Sequence, residues 1–263
     1  MSRSQSFWGN KHLVVTGASS GLGAAIGRLA ARSGARVSLI ARRGELLSRI
    51  AAEIQSTGAT AFWIAADVRD RDALRQAIAR CQSEFGACDV AIANAGVYRV
   101  TDGSAYDGAR AEQVLAVNLL GVSHLLSAVL PDMVKRQSGH ICGISSLGGL
   151  LSLPGAGAYC ASKAAIAVLL KSVRLDVEPH GVKVTAVFPG FIDTPMITPE
   201  ERLTAPGLMT AEEVARRTLQ AIALGRRECY FPWRLWLECR LGGLLPWPIY
   251  RRVMRWVQPL QET

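Results

Sequence analysis

The chain has 263 residues, 49% of them hydrophobic, and a formal charge of +9. That length holds one large domain or two small ones, with enough apolar material for a sizeable core. The positive balance suits a phosphorylated ligand or an anionic surface, but 25 of the 30 basic residues are Arg and no basic run exceeds two residues, which argues against a nucleic-acid partner.

The N-terminal stretch MSRSQSFWGNKH carries no apolar run of signal-peptide length, and no transmembrane helix is expected further on, so the sequence reads as cytoplasmic. Apolar, β-branched runs then appear at 13–17, 36–41, 61–66, 89–94, 139–145 and 183–188. Stretches with helical spacing separate them, at 22–33, 44–57, 70–85, 110–136 and 157–178. Strands alternating with helices imply parallel pairing through right-handed crossovers. The strand runs are apolar almost throughout, as expected where helices cover both faces. The fold class is α/β: one doubly wound parallel sheet with helices on both faces. Residues 1–225 form its body, and 226–263 hold a last strand and an aromatic, basic extension.

The first strand-to-helix junction reads TGASSGLG, from Thr16 to Gly23. Glycine there costs conformational entropy, so the bare backbone must serve something. In a doubly wound sheet this turn faces the ligand crevice, and the helix start offers free N–H groups and a positive dipole end. Gly17 permits the tight turn, Gly21 lets the backbone approach a pyrophosphate, and Gly23 allows close helix–strand packing. Ser19 and Ser20 add hydroxyl donors beside Leu22. A dinucleotide fits this junction; an ordinary Gly-rich turn is the plainer alternative.

Later segments narrow the choice. NAG stands at 94–96 after the fourth strand, Asn118 in mid-helix, SS at 145–146, YCASK at 159–163 and PGFIDTPM at 189–196. Together with the TGxxxGxG loop they match in order and spacing over residues 10–225, and the chain resembles the short-chain dehydrogenase/reductase family. The resemblance implies a Rossmann-type fold and an NAD(P)-dependent oxidoreductase acting on carbonyls and alcohols.

Tyr159 and Lys163 are four apart on a predicted helix, so they share a face. A phenol titrates near 10, and a neighbouring ammonium favours the phenolate, so Lys163 together with the positive nicotinamide of the oxidised cofactor is expected to lower the Tyr159 pKa and ready it for proton exchange. The resemblance adds that Lys163 holds the nicotinamide ribose. Ser146, at the family's usual offset before Tyr159, is assigned to orient the substrate oxygen, with Ser145 pointing back into the sheet. Asn118 sits on an otherwise apolar helix, where a buried amide must find partners. The resemblance makes it a kink that holds a proton-relaying water; a satisfied core amide is the alternative.

An acid at the end of the second strand would accept from a ribose 2′-hydroxyl and repel a phosphate. Here Ala41 stands in that place and Arg42 and Arg43 follow, which suits NADP. The resemblance places Asp67 and Val68 at the adenine and Asn94, Ala95 and Gly96 beside the adenosine ribose, and counts Pro189, Gly190, Ile192 and Thr194 among the cofactor-binding residues. Leu147, Leu150, Leu153, Phe191, Met196 and Ile197 are expected to line an apolar substrate pocket. Cys81, Cys88, Cys142, Cys160, Cys229 and Cys239 form no CxxC pair and read as reduced core thiols; no metal site is expected.

The tail from residue 225 holds four of the six Trp and seven Arg against three Glu. Residues 233–257 are too charged to span a bilayer but suit its surface, with Trp233, Trp236, Leu237, Leu241, Leu244 and Leu245, then Trp247, Ile249, Tyr250, Val253, Met254 and Val257, between arginines. Packing on the protein's own surface or on a partner is the alternative. A homodimer through helices 110–136 and 157–178 is expected from the family. A regulatory or scaffold protein on the same fold remains a second reading, though Ser, Tyr and Lys are all present.

Overall fold

The structure, a computed structural model, describes residues 7–255. Its central sheet has seven parallel strands in the order β3-β2-β1-β4-β5-β6-β9. These are β1 (His12–Thr16), β2 (Arg36–Ala41), β3 (Ala61–Ala65), β4 (Val90–Ala93), β5 (Gly139–Ile144), β6 (Val182–Pro189) and β9 (Glu228–Phe231). Chain order reverses between β1 and β4, and the carboxyl ends of those strands open the crevice where such sheets bind ligands.

Helices α1 (Gly21–Arg32), α2 (Gly44–Ser56) and α8 (Ala211–Ala223) cover one face, where Leu39, Leu47, Ile26 and Val214 are fully buried. The other face carries α3 (Arg71–Phe85), a long helix over 108–135, and α6 (Gly157–Val177), around Leu74, Leu125 and Leu170. Each fully buried leucine contributes about 1.5–3 kcal/mol over its exposed state. Side-chain caps fix where these helices begin. Asp70 accepts from Ala73 N and opens α3, Asp107 accepts from Ala109 N and Arg110 N, and Thr210 opens α8.

The expected 110–136 helix is α4 (Gly108–Leu115), a single π turn over Ala116–Leu120, and α5 (Gly121–Lys135). It also overturns the expectation that no segment reaches membrane-spanning length. The run Gly108–Lys135 is long enough, and its apolar 18-residue window has mean hydropathy 1.8. In the fold, 44% of that apolar window is buried inside the protein, against the sheet.

The segment after β6 has structure of its own. It holds β7 (Ile192–Asp193), α7 (Pro199–Thr204) and β8 (Met209–Thr210), with β7 and β8 paired. After β9 the tail forms α9 (Trp233–Gly242) and α10 (Trp247–Met254) rather than one continuous stripe. Trp236 belongs to the core side, packed on Tyr230, which itself stacks on Phe188. Val257 lies outside the described residues. All six cysteines are free and buried.

Candidate active site

The β1–α1 junction is built on close approach. Gly17 has φ +67°, and a Cβ there would lie 2.7 Å from the Ala95 Cα. At Gly23 a Cβ would stand 2.4 Å from the Gly17 carbonyl oxygen, so only glycine lets α1 start this near the loop. The Ser20 side chain does not cap α1, and the first turn carries no acidic residue. The amides of that turn and the positive helix end therefore face the crevice, a donor set suited to a pyrophosphate. Leu22 and Ser19 are buried, so the Leu22 side chain belongs to the core and only its backbone serves the crevice.

At the end of β2, Arg43 reaches across to the loop. Its Nη2 donates to Ser19 Oγ at 2.9 Å and to Ser20 Oγ at 2.7 Å. The neighbouring Arg42 is exposed. Desolvation raises the Asp67 carboxyl, but the hydrogen bonds and charge of Arg69, with a smaller pull from Arg42, outweigh it and hold the group below its usual range. Asp67 thus faces Arg69, which donates from Nε at 2.9 Å and from Nη2 at 2.6 Å. Val68 is pinned against Gly121 of α5. The Asn94 amide turns inward, donating to Thr16 O at 2.9 Å and Gly17 O at 3.3 Å, and so ties β4 to the glycine loop. Gly96 lies where a Cβ would be 3.5 Å from both Asn118 Oδ1 and Lys163 Nζ.

Those two residues open the catalytic group. Asn118 sits in the π turn and is fully buried. Its Oδ1 accepts from Val97 N at 2.8 Å, and its Nδ2 donates to Val97 O and Ser162 Oγ, each at 3.0 Å. The amide is satisfied by protein groups and the helix is locally rewound; π turns of this kind interrupt the i→i−4 ladder. Lys163 Nζ donates to Ile144 O at 2.9 Å and lies 5.7 Å from the centroid of the Tyr159 ring. Burial pushes the Lys163 ammonium down to about 8.

In the protein alone the Tyr159 pKa is raised, because desolvation of the phenol outweighs the opposing influence of Ser146. Lys163 sits over the Tyr159 ring with its ammonium bonded to Ile144 O. Ser146 opens a short 3-10 turn over Leu147–Leu150, and its Oγ accepts from Gly148 N at 3.0 Å. Ser145 does not point back into the sheet as expected; it donates to Lys163 O at 2.7 Å and fixes β5 to α6.

Of the expected lining residues, Leu147 is buried in the core, while Leu153 packs with Tyr98 and Tyr159. Thr194 stands over Gly21, where a Cβ would come within 3.0 Å of its Cγ2, and Arg202 of α7 holds the segment by bonding Thr194 O and pairing with Asp193 at 2.8 Å. Gly190 N donates to Phe231 O, tying Pro189–Gly190 to β9. Two contributors were missed in the sequence. Ser162 anchors Asn118, and Tyr98 meets Tyr159 edge-on at 5.6 Å. Ser162 lies within YCASK and Tyr98 two residues after NAG, which is the signal that marks them.

The profile of the family described as "short chain dehydrogenase" matches residues 11–203. An uncharacterized oxidoreductase of Myxococcus xanthus is 36% identical over 242 residues, covering 92% of this chain and 95% of its own. Oxidoreductase UcpA of Salmonella typhimurium is 36% identical over 219 residues, covering 82% and 81%. The crystal structure of levodione reductase superposes with a TM-score of 0.78 at 24% identity, covering 84% of this chain and 95% of that one, a likeness of fold.

Proposed function

This chain belongs to the short-chain dehydrogenase family, and from that premise we propose that it is an NADP(H)-dependent oxidoreductase interconverting a carbonyl and a secondary alcohol on an apolar substrate. One observation carries the reading: the Ser146 hydroxyl and the Tyr159 ring both flank Gly148, where a Cβ would lie 3.4 and 3.6 Å from them, with the buried Lys163 over the ring and the buried Asn118 near it, at the carboxyl ends of β4 and β5. A bound nicotinamide cofactor would supply or accept the hydride. The α1 N-terminus and the loop of Gly17, Gly21 and Gly23 would hold its pyrophosphate.

The protein's own groups do the rest. Ser146, fixed by Gly148 N, orients the substrate oxygen. Tyr159 gives its proton to that oxygen in reduction and takes it back in oxidation. Lys163 holds a positive charge near the phenol, which favours the deprotonated form once the proton has left. Asn118, through Val97 and Ser162, keeps the helix rewound beside Lys163 and Gly96. A panel of lipophilic ketones and secondary alcohols, followed at the nicotinamide absorbance band with NADPH and NADP, tests the reading. Absence of turnover across the panel with either coenzyme would overturn it.

Arg42 and Arg43, with no acid at Ala41, support the preference for NADPH. Removing one charge-assisted bond to a phosphate costs roughly 1.5–3 kcal/mol. Arg43→Ala is therefore expected to weaken NADPH binding about tenfold or more and NADH binding little, and Arg42→Asp to reverse the order. Titration calorimetry measures the dissociation constants; tighter NADH binding by the unmutated protein would contradict this.

We also propose a homodimer through α4–α5 and α6. On α6 Val168 and Leu175 are 68% and 75% exposed and seven residues apart, on one side of the helix. Light scattering is expected to give twice the 28.2 kDa chain mass, falling to one chain in Val168→Lys/Leu175→Lys. A stable monomer before mutation would contradict it.

A further inference from the structure

The α9–α10 tail leaves large apolar side chains in solvent, among them Leu244 at 78%, Trp247 at 69% and Trp233 at 63% exposure. On α9 the two faces divide cleanly. Leu235, Trp236 and Cys239 pack on the core, while Trp233, Leu237 and Leu241, four apart, form an outward stripe. Arg234 and Arg240 flank that stripe on its two sides. Ile249 and Val253, also four apart, share an exposed side of α10, whose last turn and cap carry Arg251, Arg252 and Arg255. Over 233–255 five arginines stand against one acid, Glu238.

We propose that this face docks on an anionic lipid bilayer. Exposed tryptophan and leucine beside arginine match the interface of a membrane, whose headgroups take the charge and whose acyl boundary takes the apolar stripe. A second copy fits less well, since an isologous pairing would set the five arginines against their own equivalents.

The tail is not a loose appendage. Tyr250 OH accepts from Ser152 N at 2.9 Å and donates to Ser152 O at 2.8 Å, and Gly243 lies against Leu150 O. The docked face is therefore fastened to the 147–153 loop that follows Ser146. Docking stands apart from the catalytic reading; the consequence that a lipophilic substrate enters from the bilayer side rests on that reading.

The test sediments the full chain with phosphatidylcholine vesicles, and with vesicles also containing phosphatidylglycerol, at low and high salt. Anionic vesicles at low salt are expected to hold roughly tenfold more protein than neutral ones. Leu241→Ser/Trp247→Ser and, separately, Arg251→Glu/Arg252→Glu should each lose roughly that factor, with an unchanged melting temperature showing that the altered chains fold. Full-length protein that stays in the supernatant with anionic vesicles at low salt overturns the proposal. So does light scattering in which Leu241→Ser/Trp247→Ser dissociates an oligomer while vesicle binding is unaffected, which would assign the face to a second copy.

Discussion

Tyr159→Phe is expected to lower kcat about a thousandfold while leaving the NADPH dissociation constant within a small factor. Positioned proton transfer contributes roughly 10²–10⁴ to rate. The substitution removes only the hydroxyl; the ring keeps its edge-on contact with Tyr98 and its place beside Lys163. The raised pKa of Tyr159 sharpens the expectation, because a phenol that holds its proton near neutrality is ready to donate in the reductive direction. Steady-state kinetics with calorimetric cofactor binding decides it. A variant with near-normal kcat would remove Tyr159 from the proton path.

Lys163→Met is expected to abolish turnover and yet stabilise the fold at pH 7. Burial lowers the ammonium pKa from 10.5 to about 8. Between those values the unfolded chain still binds the proton that the folded protein has lost, so stability rises with pH through that window. Below about pH 8 the folded state carries the full cost of the buried charge, up to about 3 kcal/mol. Methionine removes the charge and keeps an apolar chain, but leaves Ile144 O without its donor, at about 1 kcal/mol or more. The net gain at pH 7 is about 1–2 kcal/mol. Urea unfolding at pH 7 and pH 10 should show the unmutated protein gaining stability with pH and the variant losing that dependence. A variant less stable than its parent at pH 7 would contradict the argument.

The strands and the glycine loop were legible because their signals are local. Apolar runs at 36–41 and 139–145 are strands on the page and in the fold, and the TGASSGLG spacing carries its own steric reason at Gly17 and Gly23. What escaped depends on distant neighbours. The sequence does not name the partners of Asn118; Ser162, 44 residues on, and Val97 take its hydrogen bonds. Leu147 is apolar in any reading, and only the packing shows that it turns into the core instead of the pocket. Spacing of four places Lys163 on the same face as Tyr159 without saying that its ammonium goes to Ile144 O or that burial raises the phenol in the protein alone. In the tail, periodicity merged Trp236 with Trp233. Tyr230 and Phe188, brought over by β9, take Trp236 inward and leave Trp233 outside. The membrane-length run in 108–135 is likewise ambiguous by composition, since a helix pressed on a sheet and a helix in lipid are both apolar.

The central claim is that the site transfers hydride between NADP(H) and a carbonyl carbon under proton transfer from Tyr159. The most direct measurement uses NADPH carrying deuterium at both positions of the nicotinamide C4, a lipophilic ketone, and mass spectrometry of the alcohol. The account predicts a single deuterium at the carbinol carbon of each product molecule, with the label absent when Tyr159→Phe replaces the parent protein over the same time. Alcohol formed without deuterium, or label transferred equally fast by the Tyr159→Phe protein, would contradict it.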